Sequence, residues 1–274
     1  MKTTLRKSLP RLRAFTLVEL LIVIAIIAIL AAMLLPVINI AQQSAKKTKA
    51  KVECGQIVGA IQQYESDYSR MPVSSAVQQS GYTNVTYGGI FNTPTGPQPF
   101  GSFFNGGVLT NSDVIAILLD YTNYLNGFNG NGYTDNTNHM KNPKREILLS
   151  NTHPSGYDWT TQTGPPQPGI ANDLSYRDPW GNPYLITIDL NEDNNAVDAV
   201  YGLPQVSSAS GVAGGAGLVG LTWHPEIGNG AYAFHGNVMV WSAGPDGKID
   251  PSSLASPVSA IQGANKDNVL SWVQ

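Results

Sequence analysis

From Leu20 to Leu35 the chain carries no charged and no polar side chain. With Phe15–Val18 before it and the stretch to Ile38 after it, this run is long enough for a helix that crosses a bilayer, which takes about 20 residues. One carboxylate, Glu19, stands near its start. Beyond Ile38 the apolar positions thin out, and Val52, Ile57, Ile61, Tyr64 and Tyr68 recur at intervals that share one helical face. A helix is therefore predicted to continue through Ala41–Tyr68, with Gln and Lys on its other side and Pro72 as its stop signal. Pro36 removes one backbone hydrogen bond from the apolar helix, which predicts a kink or local melting there.

The pattern then changes. Ser74 to about Ser112 is rich in Gly, Thr, Asn, Pro and aromatic residues, with few charges. Asp113–Tyr124 reads as a short apolar helix whose Val114, Ile117, Leu118 and Tyr121 share a face, with Asp113 near the cap. Gly127–Asp135 and Pro154–Gly169 read as loops. In the last third, Tyr184, Ile186 and Ile188 alternate with Leu185 and Thr187, as in a strand. Ala196–Val200 follows across the turn Asp193-Asn194-Asn195, and a further pair, Ala231–Phe234 and Val238–Ser242, flanks His235-Gly236-Asn237. The expected class is α+β: a long, partly transmembrane N-terminal helix packed on a small antiparallel sheet, with a loop-rich insertion.

Charge orients the chain. The leader before Phe15 holds Lys2, Arg6, Lys7, Arg11 and Arg13 and no acid. Cationic flanks stay cytoplasmic, so everything after Ile38 is expected outside the cytoplasm. No small-residue A-x-A site follows the apolar core, as an ordinary secretory signal would require. The cut is instead placed between Ala14 and Phe15, where the basic leader meets the apolar run. Without the leader, 11 Lys+Arg face 19 Asp+Glu, a net charge of −8. An acidic exported domain does not call for nucleic acid as a partner. Charged residues make up 13% of the chain, below the ~25% of ordinary soluble domains. The 28 Gly and 18 Pro imply many turns. A single cysteine, Cys54, excludes an internal disulfide.

The N-terminus, with Ala14-Phe15, Glu19 and Pro36, resembles the prepilin signal of type IV pilins and type II secretion pseudopilins. Three further segments resemble the major pseudopilin of type II secretion: D-P-W-G-N-P-Y at 178–184, S-A-G-P-D-G-K-I-D at 242–250 and K-D-N-V-L-S-W at 266–272. The resemblance covers roughly residues 11–72, 175–190 and 238–272. It implies removal of the leader by a prepilin peptidase, methylation of the Phe15 amine, and packing of the helices in a filament core. Ala14 departs from the glycine usual before the cut. The resemblance also implies calcium in the C-terminal loop, with Asp246 and Asp267 at matching positions and Asp250 a further candidate. Calcium takes six to eight oxygens, carboxylate, carbonyl or water. Many pilins close that loop with a disulfide, which this chain must replace.

A carboxylate inside a membrane segment costs roughly 2.5–3.5 kcal/mol on insertion scales. Two readings of Glu19 stay open. Its charge is met by the free amine of a neighbouring subunit's Phe15, or it lies close enough to the new N-terminus to reach the interface. The other motifs are weak. Asp189-x-Asn191-x-Asp193 opens like an EF-hand loop but has Asn194 at the glycine position and Val200 where the closing Glu belongs. Gly215-x-Gly217-x-x-Gly220 has no βαβ context, because Trp223-His224-Pro225 stops any helix. Asn84-Val85-Thr86 spells a glycosylation sequon. His139, His153, His224 and His235 show no metal spacing, and no catalytic constellation is present.

The expected organisation is a leader at 1–14, a membrane or filament-core helix at 15–38, its amphipathic continuation at 39–72, and a head at 73–274. The head divides into the insertion at 73–175 and a sheet with the C-terminal loop at 176–274. The expected function is that of a structural, non-enzymatic filament subunit, most readily a type II secretion pseudopilin. It begins in the bacterial inner membrane with its N-terminus cytoplasmic and its head periplasmic. Its expected partners are its own copies, other pseudopilins and the prepilin peptidase. The alternatives are a type IV pilus subunit, or a membrane-anchored adhesin using Tyr82, Tyr87, Phe100, Phe103 and Phe104. Those aromatics serve equally as the core of the inserted lobe.

Overall fold

An apolar run followed by a periodic one becomes a single helix, α1 (Leu17–Tyr68), in a computed structural model. The structure describes residues 16–93, 96–104, 107–124, 132–149, 167–250 and 259–273. The expected leader and the Ala14–Phe15 cut lie outside the described residues. Two compact units are present, Met1–Ala45 and Lys46–Gln274. In the first, α1 passes through Pro36 without interruption, so of the kink or local melting expected there the melting does not occur. Every described side chain from Leu17 to Ala45 is exposed. An apolar helix with no protein around it is what a membrane or a bundle of like helices would cover.

In the second unit α1 buries Ala50, Glu53, Cys54, Ile57, Ala60, Ile61 and Tyr64, a stripe of spacing three and four. Val52, expected on that face, is 55% exposed. It lies five residues before Ile57, about 140° around a helix of 3.6 residues per turn, whereas Cys54 and Glu53 fall on the stripe. Fully burying Ile57, Ile61 and Tyr64 contributes roughly 1.5–3 kcal/mol per side chain. The helix ends four residues before Pro72, with Ser69 in the left-handed region at φ 50°.

The remaining elements, in order, are α2 (Ser75–Gln78), β1 (Asn84–Tyr87), β2 (Gly89–Thr93), β3 (Gly96–Phe100), β4 (Phe103–Phe104), β5 (Gly107–Val108) and α3 (Asn111–Leu118). After them come β6 (Gly169–Ile170), β7 (Tyr176–Arg177), β8 (Leu185–Asp189), β9 (Asn195–Ala196) and α4 (Pro204–Ser207). The chain closes through β10 (Thr222–His224), β11 (Ala231–His235), β12 (Val238–Ser242) and β13 (Val269–Leu270). The class is α+β, a long N-terminal apolar helix with antiparallel sheets.

The central sheet has the order β1-β8-β12-β13, all antiparallel. Val85 and Val238 both stand opposite Ile188, and Tyr87 and Val240 opposite Ile186. These residues form one core with Ile57, Ile61 and Tyr64 of α1 and with α3. The reverse face carries Leu185, Met239 and Trp241 into a second core with Tyr201, Val206 and Tyr232. Strand β8 is buried at all five positions, between two layers.

Four expectations change. The first strand of the sheet, β1, comes from the expected loop-rich insertion. The helix expected at Asp113–Tyr124 instead spans Asn111–Leu118. All five of its residues from Val114 are buried, because both its sides are covered. The strands flanking His235-Gly236-Asn237 do not pair: β11 joins β10 and β9 in a separate sheet, while β12 stays in the central one. Of the expected Ala196–Val200 strand only Ala196 is extended, in β9, which begins at Asn195 of the expected turn. The Asp198 carboxylate accepts the N–H groups of Val200 and Tyr201, at 2.8 and 2.9 Å, and turns the chain away.

Candidate functional site

At the start of α1, Thr16 and Glu19 form a reciprocal cap. Glu19 Oε2 accepts from the Thr16 backbone N–H and from the Thr16 hydroxyl, both at 2.8 Å. The Glu19 N–H donates to Thr16 Oγ1 at 3.2 Å. Thr16-Leu17-Val18-Glu19 is thus a capping box, which satisfies donors that every helix N-terminus leaves open. The sequence signal for it is a Thr three residues before a Glu at the head of an apolar run. From Leu17 onward the helix is long and apolar enough to cross a membrane by length and composition.

The motifs at 178–184 and 242–250 form one structural unit. Asp178 is fully buried and accepts from the Ser242 hydroxyl at 2.6 Å and from the Trp180 and Asn182 N–H groups at 2.9 Å each. Burial pushes its carboxyl up to about 6, against the pull of those hydrogen bonds. Asn182 Nδ2 reaches back to the Gly244 carbonyl at 3.1 Å. Gly244, at φ 69°, has the Asp267 carbonyl where a side chain would begin, 2.4 Å from an added Cβ. The third motif is therefore tied to the second.

This arrangement brings two of the three candidate calcium ligands together. Asp267 Oδ1 is buried without a hydrogen-bond partner. Burial first, then the Asp246 carboxylate, raises the Asp267 pKa. Asp246 Oδ1 accepts the Lys248 N–H at 2.9 Å. Asp250 is held through its backbone, donating to Asn265 Oδ1 at 3.1 Å and accepting from Asn265 Nδ2 at 2.7 Å. Among the described residues no three His, Cys, Asp or Glu side chains gather as a metal cluster. An orphaned carboxylate oxygen beside a second carboxylate fits a cation whose other ligands are carbonyls or water. Residues 251–258 of the connecting loop lie outside the described residues.

The C-terminal segment is held without a disulfide. Cys54 is free and buried. Trp272 Nε1 donates to the Val219 carbonyl at 3.0 Å, and its ring meets Tyr201 edge-on at 5.5 Å. The Ser271 N–H bonds the Val240 carbonyl at 2.9 Å, extending the β12–β13 pairing.

Other singled-out residues are structural. Asp189 accepts the N–H groups of Asn191, Glu192 and Asn194, so the EF-like spacing closes a turn on its own backbone. The sequon lies inside β1, with Thr86 buried and bonded to Thr187 at 2.9 Å. Tyr87, one of the candidate adhesin aromatics, is fully buried in the core, whereas Tyr82 is exposed. The Phe103 and Phe104 side chains lie outside what is described.

Residues 10–35 match the family described as Prokaryotic N-terminal methylation motif. The chain thus carries a prepilin-type methylation signal, over 26 of its 274 residues. No curated protein and no solved structure matches it.

Proposed function

We propose that this chain is a structural subunit of a pilus-like filament, and that the filament belongs to a type II secretion system. The methylation motif at 10–35, which runs into a helix whose apolar residues up to Ala45 have no protein cover, carries the reading. Prepilin peptidase cuts between Ala14 and Phe15, and the new Phe15 amine is methylated. The basic leader holds the N-terminus in the cytoplasm, and the head stands in the periplasm. The apolar helices then bundle, and packing area supplies the bulk of the attraction. The Glu19 charge meets a neighbour's Phe15 amine, fixing register while Thr16 caps the helix. The three C-terminal motifs favour a secretion pseudopilin over a pilus subunit.

Calcium would be held by the Asp246 and Asp267 carboxylates, with Asp250 completing the loop. It would neutralise the two facing charges and clip the C-terminal segment where no disulfide is available.

Intact mass and N-terminal sequence of the membrane-extracted protein test the reading, in cells that have a prepilin peptidase. The expected chain begins at Phe15 with one added methyl. A chain still starting at Met1, or cut beyond Ile38, would end the filament reading.

A further inference from the structure

We infer that successive subunits meet head to tail, the lysine collar of one copy against the acidic turn after β8 of the next. This rests on the filament reading above and names the head contact within it.

The collar lies where the chain enters the head. Lys46, Lys47, Lys49 and Lys51 fall within six residues of α1, and all are exposed. A groove of about 400 Å³ beside them takes in Lys47, Lys51 and Lys266. Acids at that end offset only part of the charge. Glu53, on the Tyr184 hydroxyl at 2.6 Å, stands 3.7 Å from Lys49 Nζ, and Asp267 in the groove interacts with Lys47 and Lys266, which leaves Lys46 and Lys51.

The opposite patch lies in a stretch without lysine or arginine, between Arg177 and Lys248, that holds seven acids. Three of these, Asp178, Asp189 and Asp198, are buried. Glu192 and Asp193 are exposed on the turn that Asp189 closes, and the Asp193 charge reaches exposed Glu226, whose own carboxylate is bonded to His224 Nδ1 at 2.7 Å, so Glu192 and Asp193 carry the patch. Arg70 and Lys144, cations near the same end of α1, are engaged elsewhere, on the Met140 and Lys141 carbonyls and on Asp67.

Contacts to α1 place the two patches at opposite ends of the head. Lys51 Nζ donates to the Val273 carbonyl at 2.8 Å, beside β13. At the other end of the sheet, the Asp189 N–H donates to the Asn237 carbonyl at 2.9 Å, and Asn237 Nδ2 reaches Glu65 at 3.2 Å. Fourteen residues of helix separate Lys51 from Glu65, about 21 Å at 1.5 Å per residue. That exceeds the Debye length of about 8 Å in physiological salt, so the patches do not neutralise each other within one subunit. Two copies offset along the helix axis bring them together. A head-to-tail contact that does not close on itself builds a helical filament, as such a subunit requires.

The test uses the full chain in cells with a prepilin peptidase and a filament assembly machine. Three variants are compared by the filament sheared from equal amounts of leader-free protein: Lys46→Glu with Lys47→Glu, Glu192→Lys with Asp193→Lys, and all four together. Like charges set against each other cost several kcal/mol, so each double variant should lose at least about tenfold of the filament, and the quadruple variant should regain most of it. Lys47→Cys with Asp193→Cys should give an oxidised ladder of linked copies. Normal filament from both doubles, or no ladder from assembled protein, overturns the contact and leaves the filament reading standing. A wild-type chain that loses its leader yet makes no filament overturns both.

Discussion

Asp178 and Ser242 are 64 residues apart in the chain and 2.6 Å apart in space. One oxygen of Asp178 takes the hydroxyl, and the other holds the turn at Trp180 and Asn182. The Ser242 oxygen in turn accepts the Gly244 N–H at 3.0 Å. Two motifs that look separate in sequence are therefore the two halves of one buried polar knot, which positions the loop carrying Asp246.

Removing the acceptor leaves three donors unmatched away from water. Asp178→Ala should lower stability by roughly 2–4 kcal/mol, and Ser242→Ala by about 1–1.5 kcal/mol. Urea denaturation of the detergent-extracted chain, followed by tryptophan fluorescence, measures both. Wild-type midpoints for Asp178→Ala would remove the knot from the account of this fold.

Parts of this architecture were legible in sequence because they repeat locally. The α1 stripe at Ile57, Ile61 and Tyr64 and the alternation of Tyr184–Asp189 needed only period. The pairing of β12 with β8 and β13 rather than with β11 was not legible, since His235-Gly236-Asn237 is as consistent with a hairpin as with a chain changing sheets. Strand β1 was hidden because Asn84-Val85-Thr86-Tyr87 sits in a polar, glycine-rich stretch, and its burial comes from Asp198 and Thr187 far along the chain. Thr86 and Thr187 hydroxyls bond at 2.9 Å, and Thr187 donates to Asp198 at 2.6 Å, a network only tertiary structure creates. Of the candidate site residues, Asp246 and Asp267 were placed by motif, while the orphaned oxygen of Asp267 is visible only in the fold.

A second prediction concerns pH. Asp113, in the first turn of α3, has its carboxyl pushed up to about 7, by burial first and by Asp135 second. The unfolded value is about 3.9, so between pH 4 and 7 the folded state holds a proton that the unfolded state has lost. Stability from this group is therefore full below about pH 4, falls as pH rises toward 7, and is level above that. Asp178, up to about 6, acts with the same sign. Asp113→Asn should flatten the fall, gaining roughly 1–3 kcal/mol on wild type at pH 8 and little at pH 4. Denaturation midpoints at the two pH values decide it; an equal difference at both would contradict the assignment.

The calcium proposal has a measurable consequence of its own. A ligand at a hundred times its dissociation constant stabilises the folded state by about 2.7 kcal/mol. Millimolar calcium should thus raise the Tm of the wild-type chain by several degrees, and a chelator should reverse it. Asp246→Ala and Asp267→Ala should each abolish the shift. Because protonation of Asp267, whose pKa is raised, competes with the metal, the shift should shrink as pH falls. An identical Tm with calcium and with chelator would end the proposal.

The Thr16–Glu19 cap separates two roles that one carboxylate would otherwise confound. A capping box accepts Glu or Gln at its third position. Glu19→Gln therefore keeps a group that can accept from Thr16 while removing the charge offered to a neighbour's amine. Thr16→Ala does the converse, weakening the helix start by about 1 kcal/mol while leaving the carboxylate in place. If Glu19 serves only as a charge partner, Thr16→Ala should assemble like wild type and Glu19→Gln should fail. If capping alone matters, the order reverses. With both roles in one side chain, Thr16→Ala should give reduced filament that Thr16→Ser restores, and Glu19→Gln should lose far more. Leader removal, read by intact mass, should be unchanged in all three, since the cut lies before Phe15. The readout is sheared filament per leader-free subunit. Equal, wild-type yields from Thr16→Ala and Glu19→Gln would show that neither bond to Glu19 matters for assembly.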